Sequence, residues 1–327
     1  MPMPIPRASF IIPTHNRAGL LAGAVRSAAT AGADLEIIVI DDASTDDTPR
    51  VCAALAVEFP EVRVVRLEQN VGLAQARNAG IEVSHAEYLA FLDDDDQRLP
   101  ESLLAQIAAL DATPEAGMGY APVEIMDTAG RRTGQLQPEP SACPDGDLFW
   151  ELLHENFIRV PSVVVRRSAL EAVGPFRSGL RRVEDRDCWI RLAERFPVVV
   201  TPAPVALYRQ GDVASEQLST DHPAMARTTL ALLDEWLKLP RASAAPKPQR
   251  DAVRRDFVEL QLHLLISTAA QRLGLGLAGA ARRDLAAAWR ISPVRALKSR
   301  VPRLWLRSFF PLPKPAKLPR GPGVTAT

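Results

Sequence analysis

Residues 88–96 read YLAFLDDDD, an apolar run that leads directly into four consecutive aspartates. Five uncharged residues, two of them aromatic, predict a buried β-strand. In open α/β sheets, ligands bind beyond the carboxyl ends of the strands, so the aspartates stand where a site is expected. Adjacent carboxylates repel one another unless a cation neutralises them, and Mg²⁺ and Mn²⁺ prefer oxygen ligands. The segment therefore indicates a metal site, with a solvated acidic loop as the alternative.

The residues on either side alternate short apolar runs with helical patterns, which is typical of βαβ units and a parallel sheet. The predicted strands are Ser9–Ile12, Leu35–Ile40, Val62–Arg66, Tyr88–Leu92, Ser162–Arg166 and Val198–Val200, and the helices between the first four are Ala18–Ala31, Asp46–Glu58 and Gly72–Glu82. The strands are largely apolar, as expected when helices cover both faces of a sheet. These patterns predict a Rossmann-like α/β fold with a mostly parallel central sheet and flanking helices.

The chain is long enough for one large domain with an appendage. We predict a catalytic domain over residues 1–210, a helical appendage over 211–290 and a basic, proline-rich tail over 291–327. The Pro-, Ala- and Ser-rich stretch Pro240–Pro248 predicts a linker inside the appendage. Beyond Phe310, prolines alternate with other residues, which predicts an extended arm.

Charge is distributed unevenly along the chain. Lys and Arg number 39 and Asp and Glu also number 39, a balance that argues against a general nucleic-acid binder. Residues 290–327 hold nine Lys or Arg and no Asp or Glu, which leaves 30 basic against 39 acidic residues, or −9, in the rest. Apolar residues lie between these basic ones. The tail therefore predicts reversible contact with an anionic membrane, and docking onto the acidic body is the alternative.

Cysteines and apolar segments bear on the cellular compartment. The three cysteines are widely spaced and form neither a metal motif nor a disulfide framework, which favours a reducing cytoplasm. The proline-containing N-terminus does not resemble a signal peptide, and no segment has about 18 uninterrupted apolar residues. We therefore predict a cytoplasmic protein that can bind peripherally at the inner face of the membrane.

Two further strand ends bring polar side chains toward the same edge of the sheet. Asp41 and Asp42 follow the second strand, and the segment PTHNR, residues 13–17, follows the first. An acidic residue at a strand end can accept hydrogen bonds from a ribose or base, and the alternative is an Asx-turn or N-cap for the next helix. Arg77 on the third helix can clamp a diphosphate through its planar fork, or it is an ordinary exposed helix residue.

Glu184 and Asp185 open a predicted amphipathic helix that reaches Phe196. Carboxylates at a helix start are stabilised by the helix dipole, so a capping pair is one interpretation. If the helix covers the metal site, Asp185 becomes a general base that takes a proton from an acceptor hydroxyl. Trp189, one turn on, is either part of the core or a platform for a sugar ring.

Six segments in this order resemble the family 2 glycosyltransferases, which are inverting enzymes with a GT-A fold. They are FIIPTHNR, IIVIDDASTDDT, NVGLAQARNAGI, YLAFLDDDD, VGPFR and EDRDCWIRLAERF, and the match covers Ser9–Arg209. Each segment alone is weak, and their order and spacing carry the resemblance. It implies transfer of a sugar from a nucleoside diphosphate sugar, usually a UDP-sugar, to an acceptor hydroxyl. Polysaccharide or cell-surface glycan synthesis, on a saccharide or lipid-linked acceptor, is the implied setting.

The resemblance also implies roles on the donor side. It places the first loop against the nucleotide, one carboxylate on the base and one arginine near the pyrophosphate. These residues are Thr14, His15 and Arg17 for the loop, Asp42 for the base and Arg77 for the pyrophosphate.

For the metal and the chemistry, the resemblance points to the aspartate tetrad and to the later helix. Asp93 and Asp95 fill the ends of a DxD motif that binds Mn²⁺ or Mg²⁺, with Asp95 as the direct ligand. Asp94 takes the variable middle position beside the nucleotide. Asp185 corresponds to the catalytic base, and Glu184 beside it assists acceptor binding.

The chain departs from the family pattern at one position, and two other classes of function are alternatives to this interpretation. Many relatives carry a His two residues after the Arg of a Tyr-Arg pair, where this chain has Gly211, so that contact is absent or supplied elsewhere. A metal-dependent nucleotidyltransferase would also use strand-end carboxylates, but PTHNRAG lacks the Gly-rich, basic phosphate loop of those enzymes. A non-catalytic module that only binds a nucleotide sugar is the second alternative.

Overall fold

The computed structural model describes residues 5–32, 34–180, 182–211 and 221–310. Within these ranges the chain forms eleven β-strands and thirteen α-helices. The described residues divide into two compact units, one within residues 5–211 and 231–253 and the other within residues 221–230 and 254–310. All site residues predicted from the sequence belong to the first unit.

The strands of the first unit form two sheets. In chain order the strands are β1 Ala8–Thr14, β2 Leu35–Asp41, β3 Val62–Arg66, β4 Tyr88–Phe91, β5 Gln97–Arg98, β6 Met118–Tyr120, β7 Val123–Met126, β8 Arg132–Gln137, β9 Val164–Arg166, β10 Val198–Val200 and β11 Ala206–Arg209. The large sheet has the order β10-β6-β9-β4-β1-β2-β3, and all its pairs are parallel except those of β9. The mostly parallel sheet predicted from the sequence is confirmed.

Helices connect the strands and continue beyond them. They are α1 Ala18–Ala29, α2 Thr48–Glu58, α3 Leu73–Val83, α4 Ser102–Ala112, α5 Phe149–His154, α6 Arg167–Val173, α7 Glu184–Arg195, α8 His222–Trp236, α9 Pro240–Ala244, α10 Lys247–Gly274, α11 Ala278–Ile291, α12 Pro293–Lys298 and α13 Val301–Arg307. None of the described helices is both long enough and apolar enough to cross a bilayer.

Alternate side chains of β2 enter two different cores. Ile37 and Val39 pack in a cluster that includes residues of α1, α2 and α4. Ile38 and Ile40 pack with Ala76 of α3 in a second cluster. Because helices cover both faces, the strand is apolar at every one of these positions rather than at every second one.

Gly80 lets α3 approach β1 closely. A Cβ atom added at Gly80 would lie 2.5 Å from Cγ2 of Ile11, which is far inside van der Waals contact. Helix α3 can therefore pack directly on the central strands, and its position fixes the side chain of Arg77 one turn earlier.

Strand β9 runs antiparallel to both of its neighbours, β4 and β6. Ala90 pairs with Val164, and Tyr88 pairs with Arg166, so the residues just before β9 lie at the edge where β4 ends. The segment 155–163 therefore joins the loops at the carboxyl edge of the sheet. The smaller sheet, of order β5-β11-β7-β8, begins directly after the aspartate tetrad.

The predicted linker at Pro240–Pro248 is wrong. Pro240 begins α9, and Lys247 begins α10. Proline is well tolerated in the first turn of a helix, where its missing N–H has no intrahelical partner, so composition alone misled the prediction. The predicted extended arm starts at Pro311 and lies outside the described residues.

The second unit has its own helical core, to which α10, α11, α12 and α13 contribute. Within it, Arg272 of α10 donates to both carboxylate oxygens of Asp284 of α11, at 2.7 and 2.9 Å. Burial raises the pKa of Asp284 to about 6, while the hydrogen bond and charge of Arg272 favour the ionised carboxylate. Ala296, Val301 and Leu304 belong to the same core, so α12 and α13 are packed parts of this unit.

Candidate active site

The carboxyl ends of β1, β2 and β4 meet at one edge of the large sheet. Thr14 pairs with Asp41, and Ile11 pairs with Phe91, so the three strands end side by side. Across this edge Thr14 Oγ1 donates to Asp94 Oδ2 at 2.7 Å, and both residues are buried. The structure thus brings together the first loop and the aspartate tetrad.

The loop after β1 is fixed by Asn16, a residue that the sequence analysis did not single out. Asn16 has φ +54°, a left-handed conformation that asparagine tolerates better than most residues. Its side-chain oxygen accepts from the backbone N–H of Thr45 at 2.7 Å, and its own N–H donates to Ser44 Oγ at 2.9 Å. His15 Nδ1 donates to the carbonyl oxygen of Asp42 at 2.6 Å. Asn16 and His15 therefore join the loops after β1 and β2.

Asp42 is buried, and it supports the start of α3. One carboxylate oxygen accepts from the N–H of Val71 at 2.7 Å, and the other accepts from the N–H of Gly72 at 2.9 Å. Each oxygen keeps one further lone pair, because a carboxylate has about four acceptor positions. The neighbouring Asp41 instead accepts from Arg66 at 3.0 Å, so the two aspartates have different partners.

Arg77 is wholly buried between two carboxylates. Its Nη2 donates to Asp93 Oδ1 at 2.5 Å, and its Nη1 donates to Glu184 Oε1 at 2.7 Å. Its Cζ lies 5.4 Å from the ring centroid of Phe176. Burial lowers the pKa of Arg77, but the charges of Asp93 and Glu184 outweigh it and the pKa stays above its ordinary value. The sequence predicted a diphosphate contact for Arg77, whereas here its fork joins the tetrad to the first turn of α7.

Asp94 is hydrogen-bonded to the uncharged side chain of Thr14, and Asp95 is paired with Arg17 at a longer distance. Burial raises the pKa of Asp94 to about 7, although the hydrogen bond from Thr14 favours its ionised form. Asp95 lies 3.4 Å from Arg17, and burial together with the charge of Asp93 raises its pKa. Asp95 keeps 17% of its side-chain surface exposed, so its carboxylate is accessible to a ligand.

Asp96 and Arg209 hold the far end of the tetrad in place. The N–H of Arg209 donates to Asp96 Oδ1 at 2.7 Å, and Arg209 Nε donates to the carbonyl oxygen of Asp95 at 2.9 Å. Asp96 Oδ2 is buried without a hydrogen-bond partner, and burial raises the pKa of this carboxyl well above its usual range. Asp96 therefore holds the end of the tetrad against β11, a structural role that the sequence did not separate from its three neighbours.

The carboxylates fit a divalent cation that is completed by a ligand. Among the described residues, no three His, Cys, Asp or Glu side chains are placed to hold a metal by themselves. Mg²⁺ and similar ions commonly bind through one or two protein carboxylates together with substrate phosphates. Asp95 and Asp93, with 17% and 27% of their side chains exposed, offer two such oxygen donors.

The first turn of α7 brings two more carboxylates to this edge. Glu184 is 5% exposed and faces Arg77, and burial raises its pKa. Asp185 is half-buried, and its Oδ2 accepts from Asn156 Nδ2 at 3.1 Å. Val183, directly before the helix, has φ +67° and is buried. Trp189 is completely buried, so the core interpretation of this residue is confirmed and the sugar platform is wrong.

Comparison with known proteins identifies the family of this chain. A sequence model described as Glycosyl transferase family 2 matches residues 9–174, just over half of the 327 residues. The chain belongs to glycosyltransferase family 2. The matched range contains the loops that follow β1, β2 and β4. It contains neither the first turn of α7 nor the strand β11.

Curated relatives of this glycosyltransferase include the succinoglycan biosynthesis protein ExoU of Rhizobium meliloti. The two are 28% identical over 268 residues, which cover 77% of this chain and 78% of ExoU. The chain spans less than two thirds of the length of the first curated relatives that it matches, 20% of one and 62% of another.

Solved structures share the fold. S. aureus TarS in complex with UDP-GlcNAc has a TM-score of 0.60 at 16% identity, over 93% of this chain and 89% of the TarS chain. The mannosyltransferase PcManGT from Pyrobaculum calidifontis, in complex with GDP-Man and Mn²⁺, has a TM-score of 0.54 at 18% identity, over 94% of this chain and 86% of its own. The glycosyltransferase therefore has a GT-A-like α/β fold, as the sequence predicted.

Three polar residues were not singled out from the sequence, namely Asn16, Asn156 and Arg159, and Arg209 was noted only as the arginine of the Tyr-Arg pair. Each lies in a loop or at a strand end, where a single polar residue carries no periodic signal. The antiparallel direction of β9, which no local pattern encodes, puts two of them at the carboxyl edge. With them, the edge holds the tetrad, the first turn of α7 and an amide, that of Asn156, which donates to the half-buried Asp185.

Proposed function

We propose that this glycosyltransferase moves a sugar from a UDP-sugar to an acceptor hydroxyl with inversion, using Asp185 as the general base. The observation that carries this proposal is the buried bridge Asp93–Arg77–Glu184. Its two ion pairs, of 2.5 and 2.7 Å, tie the tetrad to the residue beside Asp185. An inverting enzyme needs a base on the acceptor side and charge stabilisation on the leaving-group side, at a fixed separation. A rigid bridge of this kind supplies that separation.

On the donor side, the first loop and the tetrad bind and orient the nucleotide. We assign Thr14, His15 and Arg17 to the nucleotide, together with Asp42 and Asp94. Asp95 and Asp93 are the residues that would hold Mn²⁺ or Mg²⁺, which neutralises charge on a diphosphate leaving group when bound.

On the acceptor side, Asp185 accepts the proton of the attacking hydroxyl. The acceptor oxygen forms a bond to the anomeric carbon while the bond from that carbon to the diphosphate oxygen breaks, and UDP leaves with that electron pair. Asn156 donates to one oxygen of Asp185 at 3.1 Å, which fixes the carboxylate and leaves its other oxygen for the proton. Glu184 is engaged by Arg77, so we assign it to positioning rather than to acceptor contact.

The donor nucleotide is tested by thermal shift with Mn²⁺ and a panel of UDP- and GDP-sugars. UDP-GlcNAc in TarS supports a UDP-sugar, and GDP-Man in PcManGT makes GDP-sugars the necessary comparison. We expect a UDP-sugar to raise the melting temperature and UDP to be released on turnover. Release of pyrophosphate would instead establish a nucleotidyltransferase. Stable binding without release of either product, in the presence of an acceptor panel, would establish a non-catalytic module.

The metal assignment predicts different effects for neighbouring aspartates. Asp95→Asn should lower kcat/KM by more than about 100-fold and remove the Mn²⁺-dependent part of UDP affinity, because even partners outside the ligand shell contribute about 10–100-fold. Asp94→Asn is the comparison for metal dependence, since its amide oxygen still accepts from Thr14 Oγ1, and it should keep the Mn²⁺-dependent part of UDP affinity. The measurement is calorimetric UDP binding with Mn²⁺ and with chelator. Equal, full activity of both variants in chelator would refute the metal site.

The name of ExoU supports an acceptor in polysaccharide synthesis. We propose a saccharide or lipid-linked acceptor, and a cytoplasmic enzyme bound peripherally at the membrane. The surface that supports membrane contact is an apolar end of α13. Here Trp305 and Phe309 make an edge-to-face contact with 6.2 Å between ring centroids, and Leu306 and Phe310 are exposed by 65% and 77%. Arg303 and Arg307 lie on the same exposed segment.

Flotation with anionic vesicles tests this contact. Truncation before α12 would remove Val301 and Leu304 from a core, so we use point variants instead. The variant Arg303→Gln/Arg307→Gln/Phe310→Ser should float poorly at physiological salt, because each basic residue near an anionic surface contributes about 1 kcal/mol. The control Arg50→Gln/Arg63→Gln/Val57→Ser alters exposed residues of the first unit and should float like the unaltered protein. Indistinguishable flotation of the two variants would refute the assignment.

A further inference from the structure

Arg159 lies on the segment that the reversed strand β9 brings to the carboxyl edge. Its carbonyl oxygen accepts from the N–H of Ser162 at 2.9 Å and from Ser162 Oγ at 2.7 Å. Ser162 is completely buried, so the backbone of Arg159 is anchored to the core. A side chain that starts from a fixed backbone loses less entropy when it binds a ligand.

The charge of Arg159 is not neutralised by any carboxylate in the described part of the chain. Its Nη2 donates to the neutral side chain of Gln137 at 3.3 Å, and its Nε is buried without a hydrogen-bond partner. Arg17, Arg66 and Arg77 each pair with an aspartate, and the side chain of Arg209 donates to carbonyl oxygens. Arg159 is therefore a half-buried cation whose charge is left for a ligand.

Tyr208 fixes the orientation of this cation. Cζ of Arg159 lies 5.6 Å from the centroid of the Tyr208 ring, a geometry of cation–π contact. Tyr208 directly precedes Arg209, whose N–H donates to Asp96 Oδ1 and whose Nε donates to the carbonyl oxygen of Asp95. The Arg159–Tyr208 pair therefore lies beside the tetrad.

Asn156, three residues before Arg159, assigns the pair to the acceptor side because it donates to Asp185 at 3.1 Å. We infer that Arg159 binds an anionic group of the acceptor, a carboxylate or a phosphate, next to the hydroxyl that Asp185 deprotonates. This inference rests on the proposed role of Asp185. An anionic acceptor would otherwise be repelled by the surrounding carboxylates, and a guanidinium fork can donate two hydrogen bonds to such a group.

Ligand-detected NMR of the full chain with UDP and Mg²⁺ tests the inference without turnover. The probes are methyl β-D-glucuronide, glucose 1-phosphate and methyl β-D-glucoside; the glucuronide and the glucoside differ only in a carboxylate against a hydroxymethyl group. We expect at least one anionic probe to bind about 10- to 100-fold more tightly than the glucoside, as charge-assisted hydrogen bonds allow. Which anionic probe binds distinguishes a carboxylate from a phosphate.

Two variants and one control locate the effect. Arg159→Gln should remove the preference for the anionic probe, and Arg159→Lys should keep part of it, with melting temperatures close to that of the unaltered protein. Arg63→Gln removes an exposed arginine of β3 and should keep the full preference. Equal or absent binding of all probes would overturn the inference. So would a tenfold loss of UDP affinity in Arg159→Gln, which would place Arg159 on the donor diphosphate. The same probes are also measured without UDP. A preference for the anionic probe in that experiment does not depend on the donor being a UDP-sugar.

Discussion

Asp185→Asn is expected to lower kcat by about 10²–10⁴, which is the usual contribution of a general base. The substitution keeps an oxygen that can accept from Asn156 Nδ2, and Asp185 is only half-buried, so the fold should be preserved. UDP affinity, measured by calorimetry, should change by less than about twofold, because the proposed role places Asp185 on the acceptor rather than on the nucleotide.

The control for Asp185 is Glu194→Gln on the same helix, which removes a carboxylate away from the site and should leave kcat unchanged. If Asp185→Asn abolished UDP binding, the residue would belong to the donor site. Retention of full turnover would likewise end its assignment as the base.

Arg77→Met is expected to lower the free energy of unfolding by about 3–5 kcal/mol and to abolish turnover. The reason is that Glu184 and Asp93 lose their buried partner, and an uncompensated buried charge is strongly destabilising. Arg77→Lys should recover little, because a single ammonium cannot reproduce the fork that joins two carboxylates. Urea unfolding measures the stability, and Arg63→Met serves as the exposed control.

The destabilisation of Arg77→Met should depend on pH. Burial already raises the pKa of Glu184, and loss of Arg77 raises it further, since that charge favours the ionised form. A carboxyl whose folded-state pKa is raised gives stability that is present below its unfolded pKa and lost as pH rises through the folded pKa. The deficit should therefore grow from acidic to neutral pH. If Arg77→Met instead kept full stability and only raised the KM for the donor, Arg77 would contact the diphosphate as the sequence predicted.

The sequence was sufficient for six of the seven strands of the large sheet, all except β6, and for the placement of the tetrad. Val62–Arg66 and Val198–Val200 form the two edge strands of the large sheet with the predicted bounds, because valine favours strands even where the strand is only partly buried. The tetrad follows β4 directly, so its position required no long-range information.

The partners of individual side chains could not be predicted in the same way. Arg77 stands in the polar stretch QARNAGI, which reads as an exposed helix face, and its partner Glu184 is 107 residues away. Asp42 was expected to face a base or cap the next helix, yet both of its oxygens support the residues before α3. Such pairings depend on how the helices pack against the sheet, and local composition does not predict that packing.

Val183 has a consequence for any attempt to engineer this protein. A buried β-branched residue at φ +67° is held in a conformation that costs about 1–3 kcal/mol, and it directly precedes the turn that carries Asp185. A glycine there would relieve the strain but would also free the backbone at the start of the helix. Removing the buried valine side chain would also cost apolar contacts, so stability and the placement of Asp185 are coupled at this one position.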